Sequence, residues 1–367
     1  MRKRNAKNER SKHDYLIYLA DAQGRSKATQ DQAMAAISAF EASTGQKDFA
    51  LFHIEQARAF KRQLSAQCHG ETKAPLAAAT IHARLMAVKA FFHWLVGRQG
   101  YRRLNYGDVE YFNPSTKDAR IATAKRERPA PSVALVRRVI DAMPFETAIQ
   151  KRDRAVIVFA LLSGARDNAI ASFRLKHVDL VARTIAHEPR DGVRTKFSKT
   201  YTTWFFPVGG DLEAILADWI DNLRNVLLFG PDDPLFPATA VGVGPDGGFR
   251  ATGLGRLGWA SAEPIRRIFR QAFEAAGQPY ANPHSLRKTL ALHLYEMNPT
   301  VEEEKAWSQN FGHASTVTTS SYYGRVPDHR QAEILASISA DRKRGSGGLS
   351  EYDIARLARA LKEQPQP

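Results

Sequence analysis

One cysteine, Cys68, stands in a chain of 367 residues. A lone thiol cannot build a disulfide framework, a zinc ribbon or a CxxC redox pair, and it suits a reducing compartment. Long apolar runs are missing too. The longest, Ala155–Leu162, is far too short to span a bilayer, and Met1-Arg2-Lys3-Arg4-Asn5 leads into charge rather than a hydrophobic signal core. These absences point away from secreted and membrane-spanning proteins and toward the cytoplasm. No HExxH motif and no HxH pair near carboxylates offers a metal site. Gly242-Val243-Gly244-Pro245-Asp246-Gly247-Gly248 lacks a GK[ST] ending and a preceding strand, so it is no P-loop, and a GxSxG hydrolase elbow is absent. Acidic residues are few beside basic ones: 38 Asp plus Glu against 53 Lys plus Arg, a net charge of +15. That excess calls for a polyanionic partner, an anionic membrane surface or, foremost, nucleic acid.

What is present is globular. With 43% hydrophobic and 25% charged residues, the chain can bury more than one core, and its length suits two domains. Residues 1–13 are basic and polar with no apolar period, which predicts a mobile arm. Residues 14–113 read as a helical domain. Its clearest helix runs from Ala79 to Val96, with Ile81, Leu85, Val88, Phe92 and Leu95 on one stripe. Asn113-Pro114 marks a boundary, and residues 114–131, including Lys125-Arg126-Glu127-Arg128-Pro129, read as a basic linker suited to lie across phosphates. A second domain spans 132–340. Helices are predicted over Val133–Met143, Thr147–Ser163, Leu212–Leu227, Ala262–Ala276, Ser285–Met297 and Glu302–Phe311. Strands are predicted at Thr184–His187, Val193–Phe197 and Thr202–Val208, and Gly230–Gly258 reads as loop or insertion. Residues 341–367 read as a flexible linker and a short amphipathic tail helix that must dock, in cis or in a neighbouring protomer.

The residues left for chemistry are basic side chains and tyrosines of the second domain. Arg166 follows a buried helix in Ser163-Gly164-Ala165-Arg166. His284 and Arg287 stand three apart at a helix start, and so share a face. His313 sits in Phe311-Gly312-His313, and Tyr322 comes nine residues later beside Tyr323. Singly, each has an ordinary explanation: a surface ion pair, a chance HxxR, a core tyrosine.

Their order changes the reading. Arg, then a Lys in a β-rich stretch, then HxxR, then Gly-His, then Tyr resembles the signature of the tyrosine recombinase (phage integrase) family, over nearly the whole chain. The resemblance implies a mainly α fold with a small antiparallel β-sheet in the C-terminal domain. It implies two domains, a helical core-binding domain and a catalytic domain, closing as a C-shaped clamp on double-stranded DNA. By resemblance Arg166 and Arg287 hold the phosphoryl oxygens, where permanently charged, bidentate guanidiniums suit the developing charge. Lys196 protonates the leaving 5′-oxygen, with Lys199 as the alternative. His284 accepts the nucleophile's proton, since an unperturbed tyrosine has a pKa of about 10. His313 bonds a non-bridging oxygen or steers the nucleophile. Tyr322 attacks and forms a 3′-phosphotyrosyl link, with Tyr323 the competing choice. Two departures stand out. Ala169 occupies a position where the family carries Glu, so that buttress passes to Asp167 or is lost, and Phe311 stands where Leu is usual.

The resemblance implies a site-specific recombinase of the integrase or transposase type that needs no metal and no ATP. It would act as a homodimer on one site and a homotetramer on two, with nucleoid localisation, no membrane partner and accessory DNA-bending proteins as further partners. Two other readings stay open: an inactive DNA-binding accessory protein of the same fold, and a type IB topoisomerase-like nicking-closing enzyme.

Overall fold

The structure, a computed structural model, describes residues 5–68, 73–124, 129–244, 247–297 and 299–313. The chain divides into two compact units, Met1–Glu127 and Arg128–Pro367.

Unit 1 is helical: α1 (Ala6–Ile17), α2 (Lys27–Ser43), α3 (Ile54–Ala66), α4 (Ala78–Leu95), α5 (Tyr106–Val109) and α6 (Thr116–Thr123). The stripe of α4 is its core face: Leu85, Val88, Phe92 and Leu95 are buried, Phe91 joins them, and Ile81 packs at the edge. The core is aromatic. The Phe40 ring meets those of Phe52, Phe60, Phe92 and Phe112 edge to face at 5.3–6.1 Å, the arrangement the ring quadrupole favours.

Two segments of unit 1 depart from the sequence reading. No arm occupies the described part of residues 1–13; α1 begins at Ala6, with the Asn5 side chain accepting from the amides of Lys7 and Asn8. Its buried face is Asn8, Ser11, Lys12 and Tyr15, at i, i+3, i+4 and i+7, and three of the four are polar. A hydrophobic period is therefore absent although a buried stripe exists. Asn8 donates to Glu41 and to the Lys47 carbonyl, each at 2.8 Å, and Lys12 Nζ lies 2.7 Å from Glu41 and 2.8 Å from Glu9. The second departure is α6, which lies inside the segment read as linker and packs on α4. Ser115 caps it, accepting from the Asp118 amide at 3.0 Å while its hydroxyl donates to the Asp118 carboxylate at 2.6 Å.

Unit 2 comprises α7 (Val133–Asp141), α8 (Ala148–Ser163), α9 (Asp167–Ile170), β1 (Val178–Asp179), β2 (Thr184–His187), β3 (Tyr201–Trp204), α10 (Gly210–Asp221), β4 (Pro237–Val243), β5 (Phe249–Gly258), α11 (Glu263–Ala275), α12 (Ser285–Glu296) and α13 (Val301–Asn310). Every residue of α8 from Ala155 to Ser163 is buried. A helix apolar on all sides belongs at the centre, and α7, α10, α11 and α12 surround it. The fold is thus mainly helical with small antiparallel sheets: β1-β2-β3 in that order, and a separate β4-β5 hairpin.

One strand assignment and one loop assignment are corrected. Val193–Phe197 is not a strand; the segment turns at Lys196–Ser198, where Phe197 and Ser198 take φ of 61° and 50°, and such left-handed residues cannot continue a pleat. The glycine-rich 230–258 stretch is more than loop, since β4 and β5 pair within it through two register shifts; small residues and glycines hide a strand from a propensity reading. The predicted tail over 341–367 lies outside the described residues.

Candidate active site

Helix α8 stops at Gly164, which takes φ +56°; a Cβ there would also stand 2.7 Å from the Phe311 ring. The turn delivers Arg166, half-buried, to the N-cap of α9. Asp167 does not turn back to it. Its Oδ2 accepts from Arg266 of α11, at 2.8 Å from Nε and 2.7 Å from Nη2. Ala169 is buried in the core. Among the described residues Arg166 makes no ion pair, so its charge is not cancelled locally. Asp167 therefore buttresses the arginine across from it, not Arg166 itself.

Arg287, in the first turn of α12, is only 1% exposed. Its guanidinium donates to the carbonyl oxygens of Gly164 and, at 3.0 Å, of Phe311, so it ties the end of α8 to the end of α13. Such carbonyls are the unsatisfied acceptors of helix termini, where a cation is favoured. Its Nη2 also lies 3.0 Å from His313 Nε2. Arginine can only donate, so that nitrogen accepts and the neutral ring carries its proton on Nδ1. Burial first, then the charges of Arg287, Arg166 and Lys199, push His313 down to about 4.

His313 owes its place to how α13 ends. The His313 amide bonds Ser308 O at 3.2 Å and the Gly312 amide bonds Gln309 O at 2.7 Å, with Gly312 at φ +71°. This is a Schellman termination, and glycine supplies its left-handed residue. His284 precedes α12 and reaches solvent. Desolvation of its ring, then the positive field of Arg287 and Arg166, lower its pKa, so it is a neutral base near pH 7. Lys196 stands on the exposed turn between β2 and β3, its Nζ 4.8 Å from the Phe197 ring centre, while Lys199 donates to Gly312 O at 2.8 Å. Tyr322 and Tyr323 lie outside the described residues.

Three far-separated segments thus bring Arg166, His284, Arg287 and His313 within one electrostatic neighbourhood. The phage integrase family model matches residues 135–329. The chain belongs to the phage integrase family. Within that family it is a tyrosine site-specific recombinase. It is similar to tyrosine recombinase XerC of Xylella fastidiosa (strain M23), 25% identical over 319 residues that cover 84% of this chain and 90% of the relative. Among solved structures, a lambda integrase dimer bound to a COC′ core site has a TM-score of 0.58 at 17% identity, covering 87% of this chain and 97% of that one. A lambda integrase tetramer bound to a Holliday junction gives 0.57 at 15%, covering 85% and 79%. These two likenesses concern the fold.

In this recombinase no three His, Cys, Asp or Glu side chains gather as a metal ion would need, among the described residues. No helix among them is long and apolar enough to cross a membrane. Unit 1 carries an open groove between α2 and α4 lined by Arg25 and Arg84, cations that suit phosphates. Sequence reasoning missed His187, Tyr201 and Asn310, which underlie the Gly312-His313 turn. The one available signal was the alternation of β2, which puts Ile185 and His187 on the same inward face.

Proposed function

We propose that this recombinase cuts and rejoins double-stranded DNA through Tyr322. The Tyr322 oxygen attacks the scissile phosphorus, a tyrosyl O–P bond forms on the 3′ side, and the P–O5′ bond breaks. His284, held neutral by its surroundings, accepts the tyrosine proton. Lys196, on its exposed turn, supplies a proton to the leaving 5′-oxygen. Arg166 and Arg287 hold the charge that develops on the phosphoryl oxygens, and His313 donates from Nδ1 toward one of them. Rejoining is the same step reversed by a 5′-hydroxyl of the partner strand. The arginines supply the charge a metal would otherwise bring, and the phosphotyrosyl bond conserves the energy for religation, so metal and ATP have no task. The recombinase acts as a dimer on one site and a tetramer on two, on cellular DNA, with accessory DNA-bending proteins where sites must be brought together.

The observation that carries this reading is the convergence of Arg166 and Arg287 on two histidines whose pKa values are lowered first by burial and then by that paired charge. Covalent trapping tests it. Wild type and Tyr322→Phe are incubated with sheared genomic DNA of the source cell, denatured in detergent and digested, and the attached DNA is sequenced. Adducts only with wild type, at a recurring sequence, are expected. Adducts scattered at random would indicate topoisomerase-like nicking and closing. Adduct retained by Tyr322→Phe would move the nucleophile to Tyr323. Intact binding with no adduct in either would favour the accessory-protein reading, for which Ala169 and the engagement of Asp167 with Arg266 speak.

A further inference from the structure

His187 and Tyr201 face each other across β2 and β3. Their rings stack at 4.0 Å between centres and 13° between planes, and the His187 and Phe173 rings meet edge to face at 5.1 Å. The Tyr201 ring also lies against the backbone of Gly312, so close that a Cβ there would stand 2.7–2.9 Å from it. The order from core to site is therefore Phe173, His187, Tyr201, Gly312.

A second connection runs beside the stack. The Thr203 hydroxyl donates to Asn310 O at 2.9 Å and lies 3.1 Å from His187 Nε2. A hydroxyl has one hydrogen, so with that hydrogen on Asn310 the imidazole must be the donor to Thr203. The Asn310 side chain completes the attachment: its Oδ1 accepts from the Trp204 amide at 2.7 Å and its Nδ2 donates to Trp204 O at 2.8 Å. The carboxamide thus pairs with the free edge of β3 as another strand would. A packing role alone would be served by an apolar side chain at 187. Instead a histidine is buried there with Nδ1 unbonded among the described residues, and its one hydrogen bond runs toward the helix end that carries His313.

We propose that Tyr201 and His187 are positioning residues of the recombination site: their stacked rings form a platform under Gly312 and, with Asn310 as a brace, set where His313 stands against Arg287. The proposal rests on the reading in which His313 belongs to the cleaving site. Neither ring touches the reacting atoms; both act through the turn.

Three variants of the full chain test it. Tyr201→Leu removes the platform face, Tyr201→Phe keeps the ring, and Asn310→Ala opens the brace at a half-buried position without touching the core. The first readout is the titration of His313 by NMR on histidine-labelled protein. From about 4 in the wild type, it should rise toward 6.5 in Tyr201→Leu and Asn310→Ala and stay put in Tyr201→Phe. The second is the rate of adduct formation on sheared genomic DNA. It should fall roughly 10- to 100-fold in the first two variants and less than about threefold in Tyr201→Phe, with DNA affinity unchanged, since a displacement of about 1 Å can cost 10²-fold. In a His313→Ala background, Tyr201→Leu should cost nothing further. An unmoved His313 titration in both Tyr201→Leu and Asn310→Ala overturns the platform, as does an undiminished further loss in the His313→Ala background. If His313→Ala itself cleaves at the wild-type rate, the reading of the site falls and takes this proposal with it. If His313→Ala is inactive while Tyr201→Leu is not slowed, the platform alone falls.

Discussion

Lys12 in unit 1 and Arg287 in unit 2 are both buried cations, and their surroundings differ in kind. Lys12 is met by two carboxylates, Glu41 and Glu9. Desolvation alone would lower its pKa, but the bonds to Glu41 and Glu9 outweigh that and raise it. The charge is matched where it stands, and the pair ties α1 to α2. Arg287 is held by the carbonyl oxygens of Gly164 and Phe311 and by the face of the Phe311 ring, 4.6 Å away. Carbonyl dipoles orient a guanidinium without cancelling its charge. The consequence shows in the neighbours: His187, His284 and His313 are all shifted down, first by burial and then by the field of Arg287. A buried cation matched by carboxylates organises structure. One gripped by carbonyl dipoles is oriented, and its field still reaches the histidines beside it, as a site for a phosphoryl group requires.

The contrast breaks most visibly at Arg287. Arg287→Ala should reduce adduct formation by about 10²- to 10³-fold, with DNA affinity much less affected. It should also cost unit 2 about 2–4 kcal/mol, because two buried carbonyls lose their donor. A parallel fall in binding would make Arg287 a DNA anchor instead. Glu41→Ala is the matching test in unit 1. It leaves Lys12 with Glu9 alone and takes an acceptor from Asn8, and a loss of about 1–3 kcal/mol in urea unfolding of that unit is expected. A loss below about 1 kcal/mol would mean that Lys12 escapes to solvent and that the pair is ornamental.

A third test uses pH, and its sign differs between the units. His187 is shifted from 6.5 to about 3, by burial first and then by Arg287, His177 and Arg166. Below 6.5 the unfolded chain takes up a proton that the folded chain refuses. This contribution to stability is therefore complete above 6.5 and declines as pH falls toward 3, at about 1.4 kcal/mol per unit. Lys12 behaves oppositely: its pKa is raised, so its contribution holds below 10.5 and is lost as pH climbs beyond it. Mild acid should weaken unit 2 and alkali unit 1. Urea unfolding of wild type and His187→Phe between about pH 4 and about pH 7 checks the acid limb, which should be shallower in the variant; parallel slopes would remove His187 as its source.

Legibility followed the kind of packing. The α4 stripe, the apolar α8 and the bounds of α11, α12 and α13 could be read because apolar residues recur with the helical period. The first helix could not, because Asn8, Ser11 and Lys12 form its buried face, and partners far along the chain, Glu41 and Tyr101 among them, make that burial tolerable. The turn at Phe197 reads as strand because β-branched and aromatic residues surround it, while its left-handed φ leaves no mark in composition. At the site, the residue types in Arg166, His284-x-x-Arg287 and Gly312-His313 were visible as an ordered pattern. The support beneath them was not, since His187, Thr203 and Asn310 belong to no motif.

By itself the sequence determined the helical periods, the excess of positive charge and the order of side chains able to handle a phosphoryl group, because each of these is local or additive along the chain. Only the tertiary structure decided what those side chains are. Arg287 becomes a buried, oriented charge because a carbonyl 123 residues away receives it. His313 becomes a neutral ring with its proton on Nδ1 because that same arginine occupies Nε2. Hydrogen-bond partners and local field depend on three-dimensional distance, and no spacing in the sequence encodes it.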